Sequence, residues 1–380
     1  MQKHGVKILL LTVAGLIALG LVMLFSTSAF AQDSHGDIYF FVKRQGLWLC
    51  VAVVGAMVAA NLDYHLWEKY WYVFFAGAFV LLILCFVPHI GLRINGSNRW
   101  INLGFGVAQP SELAKVAAIF FMAYWYSRYE KQSRGFVMGL VAPMAILSLL
   151  LIPIALEVDL GNTALIGATG VSMMFVAGAA LRWLLALGAA GLGGLYFLAM
   201  NISERQGRIM AFMDPEKYRL GEGLQQWQAL IAFGSGGVDG LGLGEGRQKM
   251  LYLPYAHTDF IFPMIGEELG LKVTLATVAC YLIMTLCGCL IASNARDRFG
   301  LLLGFGAVMM IALQAAVNIG VTTSLLPNKG MPLPFISYGG SNLMVCLFMI
   351  GLLVNIHKQG RPLVPRFAGA LLSARVARRT

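Results

Sequence analysis

Ten apolar runs, each long enough to cross a bilayer, leave this chain few ways to fold. They lie near 8–30, 46–61, 71–89, 111–127, 136–156, 162–180, 183–200, 263–292, 300–324 and 338–356. Hydrocarbon cannot satisfy a bare peptide group, so about 20 apolar residues in a row read as a membrane-crossing helix. The expectation is an all-α polytopic membrane protein of about ten transmembrane helices. Composition agrees: hydrophobic residues make up 58% of the 380 and charged ones 12%, against about 25% charged in a soluble domain. Pro143, Pro153 and Pro263 interrupt runs, which spans tolerate when neighbouring helices satisfy the freed carbonyls. The six cysteines all fall inside apolar runs, so they imply packing and neither a disulfide framework nor a zinc site.

The formal charge of +10 does not mark a nucleic-acid binder, because its distribution follows membrane topology. With a cytoplasmic N-terminus, fifteen Lys and Arg fall in inner segments and the tail. Five (Lys43, Arg44, Arg93, Arg99 and Lys329) fall in short outer loops. That contrast places both termini inside. The first run ends in Ser-Ala-Phe-Ala-Gln, which resembles a signal-peptidase site after Ala31; the long apolar run favours a retained anchor. The tail, 358–380, has six basic residues and no acid, and is expected to lie against anionic headgroups.

One long stretch, 201–262, cannot sit in hydrocarbon. It carries 13 charged residues and a glycine-dense run, Gly234 to Gly246. Glycines let backbone N–H groups approach a phosphate, but no Gly-Lys-Ser/Thr follows, and flexibility is the commoner meaning of such a run. Arg208 opens the stretch, Lys249 follows the glycines, and His257 and Asp259 close it where the chain re-enters the membrane. An ionisable residue at that boundary is a functional candidate.

Three further outer patches carry polar residues. Gly96 to Asn102 leads into Gln109-Pro-Ser-Glu112 and Lys115. Pro110 suits a first helical turn, and Glu112 and Lys115, three apart, share a face; an ion pair that orients the span and a substrate site are both open. In Glu157-Val158-Asp159, Asp159 suits a helix cap, with a metal or substrate contact as the lesser reading. Leu326 to Ser341 holds three prolines within eight residues, Pro327, Pro332 and Pro334, which forbid a helix and imply a rigid loop facing a cavity. Together these patches describe an outward cavity with one well-placed carboxylate and several cations. A carboxylate can deprotonate a hydroxyl and cations can stabilise a departing diphosphate, which suits a lipid-linked substrate carrying its own leaving group.

The chain resembles the SEDS proteins (shape, elongation, division and sporulation), the membrane peptidoglycan polymerases. The resemblance covers roughly 10–357. It rests on Gly96–Trp100, Gln109-Pro-Ser-Glu112 with Lys115, Asp159-Leu-Gly161, Gln225, Gly240–Gly244, Gln248-Lys249, His257–Phe262, Glu267–Gly270 and Pro334–Ser341. Leu326-Pro-Asn-Lys-Gly330 resembles the division branch, FtsW, more than the elongation branch, RodA. The resemblance implies a membrane glycosyltransferase domain over 1–357, a large outer loop at 201–262 between spans seven and eight, and a basic tail at 358–380. It implies polymerisation of lipid II by an inverting glycosyltransferase in the bacterial cytoplasmic membrane. Asp259 would be the essential carboxylate. Arg93, Arg99, Lys115, Arg208, Lys249 and Lys329 would be candidate binders of the diphosphate, with Glu112, His257 and Ser337 also in the substrate site. No cofactor is certain, and a divalent cation (Mg or Mn) could assist. Implied partners are lipid II, the undecaprenyl-diphosphate-linked glycan, a class B penicillin-binding protein transpeptidase and other divisome or elongasome membrane proteins. A lipid II flippase and a non-catalytic scaffold are the alternatives; a transporter should gather its charges near mid-membrane, whereas here they gather on one face. There are two departures from the family pattern: Glu157-Val158 stands for Gln-Pro, and Tyr255 for the Glu of Pro-Glu-Ala-His. Glu157 could return charge to the same cavity.

Overall fold

The computed structural model describes residues 2–28, 39–94, 97–102, 107–201, 203–250, 253–254 and 256–360. The sequence after Ser28 that resembles a cleavage site, Gly96, Tyr255 and the tail beyond Gly360 lie outside the described residues, as do the side chains of Arg93 and Arg208.

A helix lies on every apolar run. In chain order they are α1 (Gln2–Ser28), α2 (Phe40–Asn61), the short α3 (His65–Lys69), α4 (Trp71–Leu84), α5 (Pro110–Arg128), α6 (Ala142–Leu156), α7 (Leu160–Val176), α8 (Leu181–Asn201), α9 (Ser203–Met213), α10 (Leu224–Gly236), α11 (Ile261–Ser293), α12 (Arg298–Thr322) and α13 (Gly340–Gln359). By length and composition, α1, α2, α6 with its preceding π-helical turn, α11, α12 and α13 can cross a membrane; α4, α7 and the first half of α8 are shorter apolar helices. The chain is therefore a multi-pass, all-α membrane protein.

α5 is central. It carries Glu112, Lys115 and Arg128, yet most of its surface is buried against α4, α6, α7, α12 and α13. The bundle, rather than lipid, accommodates Glu112 and Lys115, while Arg128 is exposed at the helix end. α2 runs along α13, and α1 and α10 pack on α11. Val51, Val54, Leu185 and Leu282 are exposed, as expected where hydrocarbon is the solvent and the outer surface need not be polar.

Two features were not foreseen in the loops. Residues 91–108 form a small antiparallel sheet, β1 (Gly91–Ile94), β2 (Ser97–Asn102) and β3 (Val107–Ala108), in the order β1-β2-β3, with Gly91 opposite Ile101 and Asn102 opposite Val107. The glycine-dense run is also not a slack loop. α11 breaks at Gly270, whose φ is 75°, and residues 237–242 enter the break. Leu241 N–H donates to Glu267 O at 2.9 Å, Gly242 N–H to Glu268 O at 3.0 Å, and Leu271 N–H to Gly237 O at 3.0 Å. A Cβ on Gly240 would lie 2.3 Å from Glu268 O, and one on Gly270 2.4 Å from Gly240 N. Both glycines have positive φ, so they serve close backbone approach and left-handed geometry. The flexible reading is corrected.

Candidate active site

Asp259 sits one residue before Phe260, the N-cap of α11, where the long loop meets the bundle. The three residues around it are held from behind. Tyr338 N–H donates to His257 O at 3.0 Å, Ser337 Oγ donates to Thr258 O at 2.6 Å, and Asn318 Nδ2 donates to Asp259 O at 2.8 Å. The Asp259 side chain is half-buried, and among the described residues no donor reaches its carboxyl. Its Oδ2 faces the backbone of Gly330, where an added Cβ would lie 2.7 Å away. Desolvation, then the negative charge of Asp159, push its carboxyl up to about 7, with Arg99 pulling the other way. A carboxylate poised near neutral pH suits a general base.

Asp159 and Arg99 arrive from other segments. Asp159 caps α7: its Oδ1 accepts Asn162 N–H at 3.2 Å and its Oδ2 accepts Asn162 Nδ2 at 2.8 Å and Gln109 Nε2 at 3.2 Å. Arg99, on β2, donates to Glu157 O at 3.3 Å and Val158 O at 2.9 Å. Val158 has φ 66°, a rare conformation for a β-branched residue. Proline, fixed near φ −65°, could not adopt it, so the departure at this position goes with a turn that Arg99 grips on both carbonyls. Glu157 is buried there, and neither carboxyl oxygen has a hydrogen-bond partner. Burial and then Asp159 push it up to about 8, against the pull of the nearby Cys85 thiol and Arg99.

The remaining candidates divide. Lys329 is half-buried and adjoins Gly330, and His257 stacks on Phe41 with ring centroids 4.3 Å apart. The rest are tied into the scaffold. Lys115 pairs with Glu112 at 2.6 Å, and both are buried. Lys249 pairs with Glu268 at 2.6 Å and also donates to Ser26 Oγ and Gly244 O. Ser337 Oγ accepts Leu333 N–H at 2.8 Å besides donating to Thr258 O. Burial and these partners give Lys115, Glu112, Lys249 and Ser337 a part in supporting the site. Among the described residues no three His, Cys, Asp or Glu side chains could hold a metal ion.

Sequence reasoning missed Gln314 and Asn318 on α12, and gave Glu267 and Glu268 no role. Glu267 accepts Arg247 N–H at 2.9 Å and Gln248 N–H at 3.2 Å; Glu268 accepts Gly244 N–H at 2.9 Å. The available signal was polarity inside an apolar helix, since such residues face protein rather than lipid.

A family model described as "cell cycle protein", covering FtsW, RodA and SpoVE, matches residues 7–362. The chain belongs to this family. A Geobacter metallireducens protein named probable peptidoglycan glycosyltransferase FtsW is 42% identical over 357 residues, 93% of this chain and 95% of that one. Stage V sporulation protein E of Bacillus subtilis is 38% identical over 347 residues, 91% and 95% of the two. Among solved structures, a chain from a peptidoglycan synthase complex that coordinates polymerization and crosslinking superposes with TM-score 0.77 at 25% identity, over 93% of this chain and 97% of that one. Thermus thermophilus RodA, a rod shape determining protein, gives 0.69 at 25% identity with the same coverage. Membership in the FtsW, RodA and SpoVE family thus extends over both the bundle and the loops that carry Asp259.

Proposed function

We propose that this chain is a division-type peptidoglycan glycosyltransferase that polymerises lipid II at the outer face of the cytoplasmic membrane. The observation that carries the reading is the half-buried Asp259 carboxyl, which faces Gly330 and is raised to about 7 with Asp159 and Arg99 within electrostatic reach. Asp259 takes the proton from the sugar 4-hydroxyl of lipid II as that oxygen attacks the anomeric carbon of the lipid-linked chain. The bond from that carbon to the diphosphate oxygen breaks, and undecaprenyl diphosphate leaves with the electron pair, inverting the centre. Arg99, which acts electrostatically on Asp259, and Lys329, next to Gly330, are the candidates to stabilise the departing charge, with Arg93 and Arg208.

The same reading takes residues 1–357 as one catalytic membrane domain crossing ten times, with 201–262 outside, 358–380 inside and both termini cytoplasmic. Its partner is a class B penicillin-binding protein that crosslinks the strands. Two experiments test it. Purified protein, alone and with that transpeptidase, should polymerise labelled lipid II, and Asp259→Ala should abolish product without loss of folding; near-normal product from the variant overturns the base assignment. A cysteine at the exposed Ser235 should react with an impermeant thiol reagent in intact cells, and one at Ser373 only after lysis. The reverse pattern would put Asp259 in the cytoplasm and end the polymerase reading.

A further inference from the structure

Gln314 and Asn318 lie four apart on α12 and so share one face. Asn318 Nδ2 donates both to Asp259 O at 2.8 Å and to Met331 O at 2.6 Å. Gln314 Nε2 donates to the next carbonyl along, Pro332 O, at 2.8 Å. Its Oε1 accepts from Lys115 Nζ at 2.9 Å. Lys115 in turn pairs with Glu112 at 2.6 Å, and the other Glu112 oxygen accepts Asn342 Nδ2 at 3.0 Å. Gln314, Asn318 and Lys115 are each only 1% exposed.

The chemistry fixes both carboxamides in one orientation. A carboxamide has one acceptor end and one donor end. Turning Gln314 over would set its NH2 against the Lys115 ammonium and its oxygen against a carbonyl. Turning Asn318 over would set its oxygen against two carbonyls. In the orientation it adopts, Asn318 Oδ1 is buried without a partner. An apolar side chain of similar shape would avoid that unsatisfied acceptor, so packing alone does not account for an amide here. The Gln314 amide joins an ammonium, which can only donate, to a carbonyl, which can only accept, and so passes the position of the α5 ion pair to the proline-rich loop. That loop, through Gly330, forms the wall facing the Asp259 carboxyl.

We propose that Gln314 and Asn318 are positioning residues, which transmit the placement of the buried Glu112–Lys115 pair through residues 331–332 to the backbone of Asp259. The proposal rests on Asp259 being the base, and it makes a prediction that does not depend on that role. Neither residue touches substrate, so loss of either acts on the geometry of the base.

The test uses full-length purified protein, with two readouts: lipid II polymerisation kinetics and amide hydrogen exchange across 256–260 and 331–338. Asn318→Leu should lower kcat by about 100-fold, the scale of a misplacement near 1 Å, with KM little changed. Exchange should quicken in both segments. Gln314→Leu and Lys115→Met should quicken exchange in 331–338, and the loss in Asn318→Leu with Gln314→Leu should be less than the product of the two, as expected within one network. Asp259→Asn should leave exchange at the parent level. If Asn318→Leu does not fold, the isosteric Asn318→Asp, which lacks the Nδ2 donor, is read the same way. Unaltered exchange in the Asn318 variant, or a loss carried by KM, overturns the proposal. Polymerisation by Asp259→Asn would instead overturn the base assignment, while exchange would still decide the coupling.

Discussion

Asp259 and Glu268 stand nine positions apart at the same end of the bundle, and their surroundings are opposite. Glu268 is 1% exposed and accepts from Ser26, Gly244 N–H and Lys249. Asp259 is half-open, and among the described residues no donor reaches its carboxyl. A buried carboxylate surrounded by donors and a cation is committed to holding the structure, because breaking the pair would strand the partner charge. One that is desolvated without donors is held near neutrality and can move a proton. Charge at depth therefore marks scaffold where it is paired, and chemistry where it is not.

The largest effect should fall on Asp259. Asp259→Asn removes a base while keeping shape, so polymerisation should drop by about 100- to 10,000-fold with no loss of thermal stability. Glu268→Gln should do the reverse. It strands the Lys249 ammonium, which costs about 3–5 kcal/mol, seen as a lower Tm. If Glu268→Gln unfolds at the parent temperature, the contrast between the two carboxylates collapses. Lys115→Met belongs with Glu268→Gln: it strands Glu112 at a similar cost of about 3–5 kcal/mol. The double change Glu112→Gln with Lys115→Met should be milder than the two losses summed, because no unpaired charge is left. Calorimetry of the four proteins measures this.

Much of this architecture is readable from hydropathy. A bilayer imposes a minimum apolar length on each run, so each expected run carries a helix. Prolines predicted the non-helical course of 326–339, and Pro110 the start of α5, for local steric reasons. Asp259 stood out because a lone acid where a polar loop enters hydrocarbon is costly. What could not be read depends on partners distant in sequence. Lys115 and Gln314 are 199 positions apart, and Ser26 and Glu268 are 242 apart. Nothing local says that Lys249 is consumed by a pair, or that the glycines serve a break in α11. The small sheet at 91–108 likewise depends on pairing between short strands with no strong propensity of their own.

Glu157 sharpens the comparison as a third case: a carboxyl that is closed off, with only the weak pull of the Cys85 thiol and Arg99 against its burial. Its folded pKa is raised from 4.5 to about 8, so the folded state holds this proton more tightly than the unfolded chain. The stability it contributes is fully present below pH 4.5 and is lost as pH rises toward 8, at about 1.4 kcal/mol for each pH unit in that window. Glu157→Gln removes that loss. Its Tm should match the parent at pH 4.5 and exceed it at pH 8 by an amount worth a few kcal/mol. A variant equally stable, or less stable, at pH 8 would mean that the Cys85 thiol and Arg99 outweigh the burial of Glu157 in the folded protein.

The smallest expected effect tests the comparison in the working enzyme. Asp259 must be ionised to accept a proton, and its carboxyl titrates at about 7. The ionised fraction of such a group falls about ten-fold from pH 8 to pH 6, and kcat should fall with it. An ordinary, fully hydrated Asp, with pKa near 3.9, would leave kcat flat over that range. Measuring kcat rather than kcat/KM keeps titration of free lipid II out of the result. Lys115→Met provides the control. If the α5 pair only holds the site, that variant should lower kcat at every pH and leave the midpoint where it was. A midpoint that moves with Lys115 would put its charge within electrostatic reach of Asp259, and the division between paired scaffold and unpaired chemistry would fail at that residue.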